Sequence, residues 1–152
     1  MVDTAKTLLK HRPMPNLEIQ TESPQADGDD GYTALSMAYY PGNSRLMRSL
    51  LDAGADKNHA TKLGKRPLDI CIENDSVAGV KTLLEYRVSV DHIDHDGNTV
   101  LHWITSKTPK SIIKSLVNAG ADIYAANKKD VTPLQRAVET GNPGAIEYLL
   151  TK

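Results

Sequence analysis

The stretch His95-Asp96-Gly97-Asn98-Thr99-Val100-Leu101-His102 decides how this chain is read. Its Leu101 has counterparts 33 residues earlier in Leu68, 33 residues later in Leu134, and one further step back in Leu35. Other columns keep the same step. Gly31, Gly64 and Gly97 align, with Asp130 in the fourth copy; Thr33, Thr99 and Thr132 align, with Arg66 as the exception. A small-residue column holds Ala38, Cys71, Ile104 and Ala137. In the second half of each copy Leu50, Leu83, Leu116 and Leu149 match, as do Met47, Val80, Ile113 and Ile146. A fixed period of this length marks a stacked array in which each unit buries its apolar face on its neighbours.

The signature positions read Thr33-Ala34-Leu35-Ser36-Met37-Ala38, Arg66-Pro67-Leu68-Asp69-Ile70-Cys71, Thr99-Val100-Leu101-His102-Trp103-Ile104 and Thr132-Pro133-Leu134-Gln135-Arg136-Ala137. Gly54-Ala55-Asp56 and Gly120-Ala121-Asp122 recur near the ends of two copies. Together these resemble the ankyrin repeat, with its T-P-L-H-x-A motif between a turn and two helices, over about four-fifths of the chain. The resemblance implies an all-α solenoid of helix-turn-helix units with short β-hairpin-like turns. Four repeats are expected at about 29–60, 61–93, 94–126 and 127–152.

Ahead of them, Leu8-Leu9 and Asn16 share the spacing of Leu50-Leu51 and Asn58, so residues 1–16 read as the second half of a first repeat. Residues 17–28 read as an inserted acidic loop: 15 steps separate Asn16 from Gly31, against 6 between Asn58 and Gly64. That loop is either a solvated insertion, which costs little thermodynamically, or a contact for a basic patch. The half repeat and the unfinished end at Lys152 lead us to expect a domain excised from a larger protein, with a small protein bearing atypical caps as the rival.

Bulk properties narrow the function. A hydrophobic content of 39% suffices for a repeat array, and a net charge of -1 gives no reason to expect nucleic acid. A single cysteine excludes an internal disulfide and fits a reducing compartment. The start Met1-Val2-Asp3-Thr4 is not a signal peptide, and no run is apolar enough for a membrane span. A cytoplasmic or nuclear monomer is the expectation, or a protein of the host cytosol if the chain belongs to a secreted effector.

Catalysis is not expected from this chain. Asp91-His92-Ile93-Asp94-His95-Asp96 is the one metal-like cluster, but it falls on a junction and turn where side chains diverge, so no metal is assigned. His102 occupies the structural His position of the family, and Cys71 lies in the small buried column, so neither reads as a reactive group. No cofactor motif is present.

Copy two departs from the plan. Arg66 and Asp69 replace Thr and His and are candidates to pair. Tyr86-Arg87-Val88-Ser89 replaces the Ala-Gly-Ala-Asp ending, so an irregular junction to copy three is expected.

Function should reside in positions the stack does not need. By the resemblance, turn tips and first helices form one concave face. Its expected contacts are Tyr32, Lys62, Leu63, Lys65, His95, Asn98, Lys128 and Lys129 at the tips, and Met37, Tyr40, Ile70, Trp103, Lys107 and Arg136 along the first helices. Met37, Ile70 and Trp103 share a column and should form an apolar stripe anchored by Trp103, while the lysines set register and association rate. The implied function is capture of another protein on that face. The alternative is substrate recruitment for a larger enzyme, such as a bacterial effector that modifies a host protein.

Overall fold

The computed structural model describes residues 31–39 and 43–152. The expected half repeat at 1–16, the acidic loop at 17–28, Asp29, Asp30 and Tyr40 lie outside them. Among the described residues there are seven α-helices: α1 (Ala34–Met37), α2 (Ser44–Asp52), α3 (Pro67–Glu73), α4 (Val77–Glu85), α5 (Lys110–Asn118), α6 (Pro133–Thr140) and α7 (Pro143–Leu150). A 3-10 helix over Val100–Trp103 takes the first-helix place in copy three. There is no β-strand among the described residues.

The leucine column forms the spine. Leu35, Leu68 and Leu101 are each at most 1% exposed, and Met47, Leu83, Ile113 and Leu116 from the second helices are fully buried beside them. Leu134, in the last copy, is only partly covered. Each first helix starts as the sequence dictates. Thr132 Oγ1 accepts from Gln135 N–H and Pro133 follows at the first helical position, where its missing N–H is no loss.

The first helix of copy three is shorter than its counterparts α3 and α6, and one column explains it. Asp75 (φ 54°) and Gly141 (φ 69°) close α3 and α6 in the left-handed conformation. The aligned residue in copy three is Thr108, whose branched Cβ disfavours that geometry and which precedes Pro109. The chain instead leaves the 3-10 turn at once, with Ile104 already extended (φ -58°, ψ 132°).

The junction from copy two to copy three is regular, contrary to the sequence expectation. Arg87 adopts the left-handed cap (φ 53°) that Gly54 and Gly120 adopt elsewhere. Its N–H donates to Leu84 O at 3.0 Å, as Gly54 donates to Leu51 and Gly120 to Val117. The penalty shows in the next bond: Val88 N–H to Leu83 O is 3.4 Å, against 3.0 Å for Ala55 to Leu50 and Ala121 to Leu116. Helix packing on both sides outweighs a backbone cost of about 1 kcal/mol.

The turns between copies are built as a ladder. Thr61, Asp94 and Asn127 each donate N–H across their own turn, to Lys65, Asn98 and Val131 carbonyls at 2.8, 3.0 and 3.0 Å. Neighbouring turns then join through backbone: His95 N–H donates to Leu63 O at 3.4 Å and Lys128 N–H to Asp96 O at 2.9 Å. Glycine is required where they touch. A Cβ on Gly64 would lie 3.0 Å from His95 N, and one on Gly97 3.0 Å from Lys128 N, and both have positive φ. Asp130 holds the same conformation (φ 57°) in the fourth turn.

Buried polar side chains tie each first helix to the next turn. In copy three, His102 Nδ1 accepts from Thr99 N–H at 3.0 Å and Nε2 donates to Val131 O at 2.8 Å. Copy two uses an exchanged arrangement. Asp69 accepts from the backbone N–H of Arg66 at 2.8 Å, rather than from its guanidinium, and pairs with His92 Nε2 at 2.6 Å. Asp69 and His92 are 23 residues apart, as are His102 and Ala125, so each junction holds one imidazole, placed on opposite sides.

Four stability outcomes follow, each readable by urea denaturation. Arg87→Gly should stabilise the fold by about 1 kcal/mol, whereas Gly97→Ala should cost at least about 1 kcal/mol. His92→Ala should cost about 3 kcal/mol, because it strands a fully buried carboxylate. Adding Asp69→His to His92→Ala should recover most of that loss, because the new imidazole can repeat the bonds His102 makes.

Candidate protein-binding surface

The turn tips are held rigid by side chains that cap their own backbone. Asp94 Oδ1 accepts from Asp96 and Asn98 N–H at 2.8 and 2.9 Å, and Asn127 Oδ1 accepts from Lys129 and Val131 N–H at 2.9 and 3.0 Å. Asx caps of this kind fix a turn without help from regular structure. Asn98 links two tips. Its amide donates to Asp94 Oδ2 at 3.0 Å and its carbonyl accepts from Asn127 Nδ2 at 2.7 Å. It is therefore a brace as well as an expected contact.

The tips present Lys62, Leu63, His95, Lys128 and Lys129 to solvent, with Leu63 46% exposed, while Tyr32 is half-buried. Lys128 is partly committed, since its ammonium donates to His95 O at 2.6 Å. Lys129 remains exposed at the mouth of a groove of about 310 Å³ that also meets Asp96, Asn98, Asn127, Val131, Arg136 and Glu139. Arg136 is half-buried there. Its Nε donates to His102 O at 3.1 Å and its Nη1 lies 3.4 Å from Glu139 Oε2. Lys107 is exposed beyond the 3-10 helix.

The expected apolar stripe is not continuous. Met37 is 42% exposed, but Ile70 is 1% exposed and cannot touch a partner. Trp103 is half-buried against the core, and its outer face is covered. The cover is Lys65, whose ammonium lies 4.2 Å from the Trp103 ring centroid and 3.2 and 3.0 Å from the two carboxylate oxygens of Glu73. The cause is geometric. The Lys65 side chain crosses from its tip to the first helix of the following copy, where it meets Trp103, 38 residues on. Lys65 is thus not a free steering cation, and Trp103 is not an open anchor. Column alignment finds which residues share a height along the stack; it does not reveal a side chain arriving from the neighbouring turn.

Cys71, Asp91, His92 and Asp94 are committed to structure. The Cys71 thiol is buried, and burial together with the nearby Asp69 carboxylate pushes its pKa up to about 12, which leaves it a poor nucleophile. Within the 91–96 segment the side chains diverge: His92 turns inward to Asp69, Asp94 caps its turn, Asp91 bonds Ser89, and His95 is exposed. Among the described residues no three His, Cys, Asp or Glu side chains converge as metal ligands, and no helix is long and apolar enough to cross a membrane.

Comparison with known proteins agrees with this architecture. A family model described as ankyrin repeats (3 copies) matches residues 1–94 and 80–152. The chain is 32% identical to the B-cell lymphoma 3 protein homolog of Mus musculus, over 71% of this chain and 24% of that protein. It is 29% identical to the neurogenic locus notch homolog protein 1 of Homo sapiens, over 79% of this chain and 5% of that protein. Identity to the inhibitor of apoptosis OPG037 of Variola virus is 27%, over 66% of this chain and 23% of that protein. The chain therefore spans less than a quarter of each of these relatives. With the repeating turn ladder, the paired helices and the family match in agreement, the chain belongs to the ankyrin repeat family.

Proposed function

We propose that this domain captures a partner protein on its concave face, through the turn tips and the outer side of the first helices. Ankyrin repeats generally serve as protein-protein interaction modules. The observation that carries the reading is the pairing of a rigid backbone ladder with exposed side chains that differ from copy to copy. Leu63 O and Asp96 O accept from the next tips, while Lys62, Leu63, His95 and Lys129 are exposed. Pre-organised tips lose little entropy on binding, so contacts made there convert efficiently into affinity.

Met37 and Leu63 supply exposed apolar area, and the groove at Lys129, Arg136 and Glu139 supplies polar contacts. Lys62, Lys107 and Lys129 alternate with Asp96 and Glu139. That mixed pattern suits a protein surface better than a phosphate backbone, which calls for a basic stripe.

Affinity capture with paired baits tests the assignment. Leu63→Asp combined with Lys129→Glu should reduce recovery of specific partners about ten-fold relative to the unmodified chain. Lys81→Glu, in the groove between α4 and α5 on the opposite side, should leave recovery unchanged. The reverse pattern, quantified by mass spectrometry, would move the site to the second helices.

A further inference from the structure

The Lys65 clamp has the composition of a cation-recognition site. A carboxylate from α3 and an indole face from the 3-10 helix converge on one ammonium, which sits 3.0 Å from Glu73 Oε2 and 4.2 Å from the ring centroid. The negative face of an aromatic ring and a carboxylate both favour a cation, and together they do so more strongly than either alone. We propose that Trp103 and Glu73 form an arginine-binding site, filled in this structure by the chain's own Lys65, and that an arginine of the docked partner takes the place of Lys65. This inference rests on the concave-face assignment and names the partner chemistry at its centre.

Three features support exchange over a permanent staple. The walls hold their positions without Lys65: Trp103 packs against the hydrophobic core, and Glu73 ends a helix whose next residue, Asn74, bonds back to Ile70 O. The carboxylate wall is open to solvent, since the Glu73 side chain is 39% exposed, whereas the Lys65 side chain it holds is 14% exposed and shields the ring. The existing fit is also incomplete. Trp103 Nε1 is buried and finds no hydrogen-bond acceptor among the described residues, although indole N–H groups normally have one when buried.

Arginine rather than lysine is the matching occupant. A guanidinium is planar, so it stacks on the indole while donating two parallel hydrogen bonds to a carboxylate. Lys65 is a point charge on a flexible stem and satisfies the two walls less completely. Because Lys65 is tethered, it competes at a high effective concentration, of millimolar order for a short flexible connection. A lone arginine therefore displaces it poorly, and one delivered by an otherwise docked protein displaces it well. Such gating makes the site respond to the whole partner rather than to free cations.

The chain contains one tryptophan, so its fluorescence reports the site directly. The probe is a capped tri-arginine peptide, with the uncharged tri-citrulline peptide as its control, titrated at low salt. Lys65→Ser should raise tri-arginine affinity about ten-fold over the unmodified chain, with no gain for tri-citrulline. Adding Glu73→Gln should abolish the gain. Equal affinities for all three proteins, or an equal gain for tri-citrulline, would overturn the proposal. Should Lys65→Ser fail to fold by circular dichroism, the unmodified chain and Glu73→Gln alone decide. High tri-arginine should then perturb Trp103 emission in the former and not in the latter, and equal responses would count against the site. None of these readouts uses the partner capture assay, so failure here and failure of the concave-face assignment are separable.

Discussion

The separation of adjacent turn tips governs the rest of this molecule. Backbone meets backbone between copies, with Lys128 N–H 2.9 Å from Asp96 O and no room for a side chain on Gly97. Once the tips are in contact, the height of every first helix along the stack is fixed. So is the distance a tip side chain must cross to reach the next copy. Lys65 over Trp103 and Asn98 between Asp94 and Asn127 both follow from that spacing.

Buried polar groups convert this spacing into a specific register. An apolar stack alone tolerates small slips, because hydrophobic contact is not directional. His102 bonding Val131 O, Asp69 bonding His92, and Asn142 donating to Thr105 O and Thr108 O tolerate none, because a displaced partner leaves a buried polar atom unpaired. Copy two pairs a carboxylate with an imidazole and copy three pairs an imidazole with a backbone carbonyl, so the requirement is for a bonded pair at the junction, not for a particular residue in the motif. The same pairs keep the concave face stiff, and that stiffness is what a binding surface needs.

Arg87 illustrates how context outranks local preference. Its left-handed conformation is unfavourable for a side chain with a Cβ, yet Leu83, Leu84 and Val88 hold the helix end in the form the stack demands. Thr108 marks the opposite limit. There the neighbours do not force the conformation, and the first helix of copy three contracts to a 3-10 turn. The two positions differ in what surrounds them: Arg87 is an exposed residue between buried anchors, whereas Thr108 is itself buried and bonded through its hydroxyl to Asp75.

The period of 33 residues made the architecture readable before any coordinate, because repeated burial leaves repeated letters. Leucine columns, threonine caps and turn glycines each answer a local demand that a linear string can express. The surface was readable only in part. Tips and exposed positions such as Met37, Leu63 and Lys129 followed from the repeat, but the burial of Ile70 and the covering of Trp103 did not. The covering of Trp103 depends on Lys65, which is held by Glu73 of its own copy and lies across the indole of the next, and that contact exists only once the copies are stacked.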